Sequence, residues 1–169
     1  MRHNLLAIFG CWVFALAACG GAENRVGRIH IDGPIGPATA SYIERAIQVA
    51  TERGDTCLII RLDTPGGLLD STKDIVQSFY ASRVPTVVYV APEGANAGSA
   101  GCFITIAADV AAMAPHTSIG AAHPVSIGGG GVTGGDDKPD DVMKEKLENF
   151  ASSYIESIAR KRGRNVEWA

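Results

Sequence analysis

Asp63-Thr64-Pro65-Gly66-Gly67 closes the apolar run Cys57-Leu58-Ile59-Ile60-Arg61-Leu62, and Ala97-Gly98-Ser99-Ala100-Gly101 follows the run Thr86-Val87-Val88-Tyr89-Val90. Short apolar runs bounded by turn residues predict buried strands. Each turn leads into a helix-like segment, the second predicted over Ser99 to Ala108. Strand, turn and helix in repeated succession predict an α/β fold. Two successive strand ends then aim their loops at one crevice, where open α/β sheets bind their ligands.

The residue types in these turns suit acyl transfer. A serine attacking an amide carbonyl needs backbone N–H donors aimed at the oxygen that becomes negative, with no side chain in the substrate's way. Gly66 and Gly67 supply bare backbone, and Gly98 keeps the approach to Ser99 open. At a helix start the first N–H groups lack intrahelical partners, so the N–H of Ala100 is the natural second donor. Losing one such donor typically costs about 3 to 4 kcal/mol of transition-state stabilisation. The plain alternatives are an ordinary Pro-Gly-Gly turn and a serine N-cap whose oxygen accepts a backbone N–H. Placement on consecutive strand-to-helix junctions favours the catalytic reading. The surroundings of Ser99 are not a Gly-x-Ser-x-Gly elbow, because position 97 is Ala, which disfavours an α/β-hydrolase.

A serine nucleophile needs a base. His3 lies in the leader and His30 in the first strand, leaving His116 and His123 in a loop after the apolar run Val110 to Ala114. Neither has an obvious orienting carboxylate, Asp109 and Asp136 being those to weigh. Asp141 to Arg162 carries apolar residues at Met143, Leu147, Phe150, Tyr154 and Ile158, the spacing of an amphipathic helix. Lys144 and Lys146 flank that stripe, each roughly 80° from its centre, so periodicity does not choose between them. Both also fit surface lysines whose stems lie along the apolar edge. A lysine base must be neutral, and lowering its pKa from about 10.4 toward ~7 to 8 by burial costs about 4 kcal/mol.

Four segments now bear on these alternatives: Asp63 to Gly67, Ala97 to Gly101, Ser118-Ile119-Gly120-Ala121-Ala122-His123-Pro124 and Gly163-Arg164-Asn165. In order and spacing they resemble the NfeD family, membrane-associated serine proteases of the ClpP class, from about Val26 to the end of the chain. The resemblance implies the ClpP/crotonase spiral of stacked ββα units and a Ser-Lys dyad. Carried over, it makes Ser99 the nucleophile and gives Gly67 and Ala100 the oxyanion donors, with Gly66 and Gly98 beside the substrate. The family base stands about seventeen residues before Gly-Arg-Asn, which matches Lys146, with Lys144 the runner-up. His123 belongs to the family's loop pattern without being its base. Family domains continue past Gly-Arg-Asn with elements that complete the spiral and contribute to dimer contacts, and many members add membrane helices and a C-terminal β-barrel. This chain is therefore expected to be incomplete at its C-terminus, and as an assembly to be a homodimer or larger homo-oligomer.

Residues 1–24 read differently from the rest. Arg2 and His3 precede an apolar run from Leu5 to Ala18, short for a span of about 20 residues, and then small residues, which is the pattern of a secretory signal. Leu16-Ala17-Ala18-Cys19-Gly20 resembles a lipobox, with Cys19 the residue acylated after cleavage; a plain signal cut near Ala17 or Ala18 is the alternative. Either way the mature protein is expected outside the cytoplasm, a lipid anchor holding it at the membrane surface. Residues 25–169 then form one protease domain, with Cys57 and Cys102 as small core residues.

A net charge of −3 without a basic aromatic patch argues against nucleic-acid binding. Gly128 to Gly135 lacks the ending of a phosphate loop and reads as a flexible segment able to cover the site. No metal or organic cofactor is called for. The expected activity is a serine endopeptidase acting on apolar stretches of membrane proteins, with a stomatin-like protein as the partner that the resemblance implies. Two rivals stand beside it. A crotonase-type acyl-CoA enzyme needs the oxyanion loop without Ser99, and the leader argues against it. A silent peptide-binding scaffold would use the same groove without chemistry.

Overall fold

The computed structural model describes residues 24–120 and 139–169 of the 169-residue chain. The leader with Cys19, His123, Asp136 and the glycine-rich stretch lie outside the described residues. Strand β1 (Val26–Asp32), helix α1 (Pro37–Arg53), β2 (Cys57–Asp63), α2 (Leu69–Ala81) and β3 (Thr86–Val90) alternate first. Then follow β4 (Asn96–Gly98), α3 (Ala100–Ala107), β5 (Val110–Met113), β6 (Ser118–Gly120) and α4 (Pro139–Lys161). The α/β reading holds.

The main sheet is parallel throughout, in the order β1-β2-β3-β5. In β2 the alternation of the pleat turns Leu58, Ile60 and Leu62 into the core. Full burial of each such side chain contributes about 1.5 to 3 kcal/mol. The helices cover that face. Proline at the first turn starts α1, Ala40, Ile43, Ile47 and Ala50 line its buried side, and Gly54 ends it in the left-handed region at φ 66°. Ile75, Val76 and Phe79 do the same for α2.

A second, smaller layer holds the site. Strands β4 and β6 pair in parallel, and single-residue bridges extend the layer at Thr64↔Ala97 and Ile35↔Gly67. The described residues thus make four successive units of strand, second-layer residue and helix. In the first two units the second strand is reduced to bridging residues, and in the last two it is β4 and β6. This is the expected ββα spiral, with one correction to the local reading. The Asp63-to-Gly67 turn does follow the end of β2, but Ser99 does not follow β3 directly; it comes just after β4, so the second turn of the site belongs to the second layer rather than to the end of a main strand.

Candidate active site

The Asp63-to-Gly67 turn is tied to the strand before Ser99 by its own side chains. The Asp63 carboxylate accepts the N–H of Asn96 at 2.9 Å. Thr64 donates its N–H to the Asn96 carbonyl at 2.7 Å and accepts the Gly98 N–H at 3.0 Å. Its buried hydroxyl oxygen accepts the N–H of Gly66 at 3.1 Å. Gly66 in turn offers its carbonyl to the N–H of Ile35 at 2.8 Å. The two turns therefore form one hydrogen-bonded unit.

Close approach explains the glycines. Gly66 sits at φ +123°, and a Cβ there would lie 2.7 Å from the Ser99 Cβ. At Gly98 a Cβ would meet the Pro65 carbonyl oxygen at 2.9 Å.

Ser99 itself departs from the predicted helix start. It precedes α3 at φ 46°, ψ −110°, a conformation that costs a non-glycine residue about 1 to 3 kcal/mol and persists only where the surroundings over-determine it. They do so here: its N–H donates to the Gly120 carbonyl at 3.0 Å, and its carbonyl accepts the Cys102 N–H at 2.9 Å. Its hydroxyl makes no capping bond. The N-cap alternative is therefore not what this serine does, and its Oγ is left available.

Two N–H groups nearby are open. Gly67 exchanges no bond with Ile35 itself, because Ile35 donates to Gly66 and accepts from Leu68, which turns the Gly67 N–H to the opposite side. Ala100 is the first residue of α3. Neither N–H has an acceptor among the described residues.

The remaining candidates are less concentrated. Lys146 lies on α4 and is exposed. The buried line of that helix runs through Ala151, Ile155, Ile158 and Ala159. Phe150 is 41% exposed, so the stripe read from the larger apolar residues is rotated: small alanines let α4 approach α3 closely, while Phe150 lies at the edge under the Lys73 ammonium, 4.7 Å from its ring centre. His116 is exposed, its Nε2 3.7 Å from Glu93. Asp109 orients no histidine; it accepts the Thr86 N–H and hydroxyl at 2.8 and 2.9 Å and pairs with Arg162. Burial alone would raise its pKa, but the Thr86 bonds and the Arg162 charge outweigh it and hold the carboxyl below the usual range. Cys57 and Cys102 are free, and burial pushes the Cys102 thiol up to about 11. Among the described residues no cluster of three His, Cys, Asp or Glu side chains is disposed to hold a metal.

One feature escaped the sequence reading. Arg162 and Arg164, around the Gly-Arg-Asn motif, grip the far end of α3. Arg162 Nε donates to the Ala107 carbonyl at 2.6 Å, and Arg164 donates to those of Ile106 and Ala108, both at 2.8 Å. Gly163, at φ 64°, turns the chain back for this, and the Arg164 N–H closes α4 on the Ala159 carbonyl at 2.8 Å. The sequence marks Gly163-Arg164-Asn165 as a motif, but nothing local in it points to the carbonyls of α3.

A sequence model of the NfeD1b N-terminal domain matches residues 25–169. The chain is 37% identical over 147 residues to the membrane-bound protease PH1510 of Pyrococcus horikoshii, covering 86% of this chain and 32% of that protein. It is 30% identical over 169 residues to the membrane protein NfeD1b of Bacillus subtilis, covering 99% of this chain and 36% of the relative. The chain thus spans about a third of the length of these curated relatives. Among solved structures, a serine-to-alanine mutant of the 1510-N membrane-bound stomatin-specific protease superposes with TM-score 0.74 at 36% identity, over 86% of this chain and 68% of that one. A lysine-to-alanine mutant of that protease, in complex with a substrate peptide, gives 0.73 at 37% identity, over 86% and 64%. A ClpP1 variant from Listeria monocytogenes gives 0.61 at 16% identity, over 83% and 75%, a likeness of fold alone.

Proposed function

Since this chain belongs to the NfeD1b N-terminal domain family and has the ClpP-like fold, we propose that it is a serine endopeptidase with Ser99 as nucleophile and Lys146 as general base. The observation that carries the reading is the strained, uncapped Ser99 at the start of α3, packed against Gly66 with the open N–H groups of Gly67 and Ala100 beside it. The relatives' names add support, since one is a protease studied as serine and lysine mutants.

In this reading the peptide carbonyl oxygen lies between the Gly67 and Ala100 N–H groups, with Gly66 and Gly98 leaving the approach clear. Ser99 Oγ attacks the carbonyl carbon and gives its proton to the neutral Lys146 amine, and the two N–H groups stabilise the oxyanion. Collapse of the tetrahedral intermediate expels the amine product, which takes the proton from the Lys146 ammonium. Water, deprotonated by the same amine, then releases the acyl group from Ser99. The mechanism requires that Lys146, exposed in the single chain, be covered by bound substrate or by a second copy.

The substrates in this reading are apolar segments of membrane-associated proteins, a stomatin-like protein among them, as the name of the 1510-N relative suggests. Placement outside the cytoplasm, anchoring through acylated Cys19 and homo-oligomer formation belong to the same proposal; no helix among the described residues is long and apolar enough to cross a membrane. The test is intact-mass labelling with a fluorophosphonate probe. Labelling of Ser99 that is lost in Ser99→Ala and Lys146→Ala and kept in Lys144→Ala is expected. The exposure of Lys146 favours one alternative, a silent scaffold that holds an extended peptide, and a folded chain that binds peptide without ever labelling would establish it.

A further inference from the structure

Helix α3 is held from the end opposite the site. All eight of its residues are buried, and its N-terminus carries neither a side-chain cap nor an acidic residue in the first turn. A site that presents open N–H groups to a substrate cannot also cap them, so the helix needs its anchorage elsewhere. Three carbonyls at and just beyond its C-terminus, those of Ile106, Ala107 and Ala108, receive guanidinium bonds. The two cations also lie at the negative end of the helix dipole. The clasp is itself fixed: Arg162 pairs with Asp109, which binds both the N–H and the hydroxyl of Thr86 at the start of β3. The arginines thus lock the last turn of α3 to the main sheet and to α4. At 1.5 Å per residue the clasp is only about 10 Å from Ser99 along a short, close-packed helix. Ser99 is also restrained by the Gly120 carbonyl, the Cys102 N–H and the Gly66 backbone.

We propose that Arg162 and Arg164 are positioning residues for Ser99: by seizing the carbonyls at the end of α3 they set where the helix stands and so hold the serine in its strained conformation. The inference rests on Ser99 being the nucleophile for its functional meaning, but the mechanical link is measurable without any catalysis.

The experiment is a stability cycle on the full chain that combines Arg164→Lys with Ser99→Gly. Glycine adopts φ 46° freely, so Ser99→Gly relieves the strain and raises the denaturation midpoint of the parent. If the clasp maintains that strain, Arg164→Lys, which keeps the charge but loses the fork, lets Ser99 relax. The gain from Ser99→Gly then shrinks by half or more in the Arg164→Lys background. An equal gain in both backgrounds overturns the proposal, since sites this far apart that do not communicate are additive. Asp109→Asn, which loosens the clasp without touching α3, is the second variant should Arg164→Lys fail to fold, with the same two outcomes. In parallel, Arg164→Lys is expected to slow the maximal rate of fluorophosphonate labelling at Ser99 by about tenfold with unchanged probe affinity. Loss of affinity with an unchanged maximal rate counts against the proposal. If the parent itself never labels, the protease reading falls while the stability cycle still decides the clasp.

Discussion

Gly66 has no room for a side chain because Ser99 occupies it: a Cβ at Gly66 would lie 2.7 Å from the Ser99 Cβ and 3.3 Å from its Oγ. The two turns of the site are thus a single interlocked surface. Moving one moves the other, and the surroundings of Ser99 are fixed by backbone.

Gly66→Ala is therefore expected to cost about 2 kcal/mol or more, combining a positive φ with overlap in a packed site. Ser99 labelling should fall steeply in the fraction that still folds. Chemical denaturation and intact-mass labelling on the same sample check both parts. A stable variant that labels at the parental rate would show that the contact is not restrictive.

Ser99→Gly and Ser99→Ala separate chemistry from strain. Both remove the hydroxyl, and if Ser99 is the nucleophile as proposed, both are expected to abolish labelling. Glycine alone relieves the φ of 46°, so Ser99→Gly is expected to be more stable than Ser99→Ala by about 1 kcal/mol. Equal stabilities would mean that the serine conformation is not costly.

Much of the α/β spiral was legible because its signals are local. Apolar runs bounded by Gly and Pro gave β2 and β3, and the spacing of Leu147, Tyr154 and Ile158 revealed α4. What stayed hidden depends on distant partners. The second layer is built from bridges such as Thr64↔Ala97 and Ile35↔Gly67, too short for any periodicity to register. The face of α4 was misjudged because size was taken for burial, whereas Ala151 and Ala159 are buried for the opposite reason, close helix approach. The candidate site was legible where glycines crowd a serine. Its support was not: nothing local in Arg162, Arg164, Asp109 or Thr86 says that they meet.

Cys102 follows Ser99 by three residues but should be inert to thiol reagents. It is 4% exposed, and burial lifts its pKa to about 11, so at pH 8 the thiolate is scarce and shielded. Peptide mapping after iodoacetamide treatment is expected to find Cys102 unmodified in the native chain and modified in denaturant. Rapid native modification would mean that α3 opens readily.

The Asp109 clasp gives stability a defined pH dependence. Its carboxyl titrates below the usual range in the folded chain, because the Thr86 bonds and Arg162 outweigh the effect of burial, whereas an unfolded aspartate titrates near about 3.9. A carboxyl with a depressed folded pKa contributes stability that is fully present above the unfolded value and is lost as pH falls through the folded one. The parent should therefore exceed Asp109→Asn in denaturation midpoint by a constant margin from about pH 7 to about pH 5. That margin should narrow below about pH 4, where the carboxyl in the parent is progressively protonated. Taking the difference between the two proteins cancels the titration of every other acid that they share. A margin that persists undiminished to about pH 2 would mean that Asp109 stabilises the chain through its shape and hydrogen bonds rather than through its charge on Arg162.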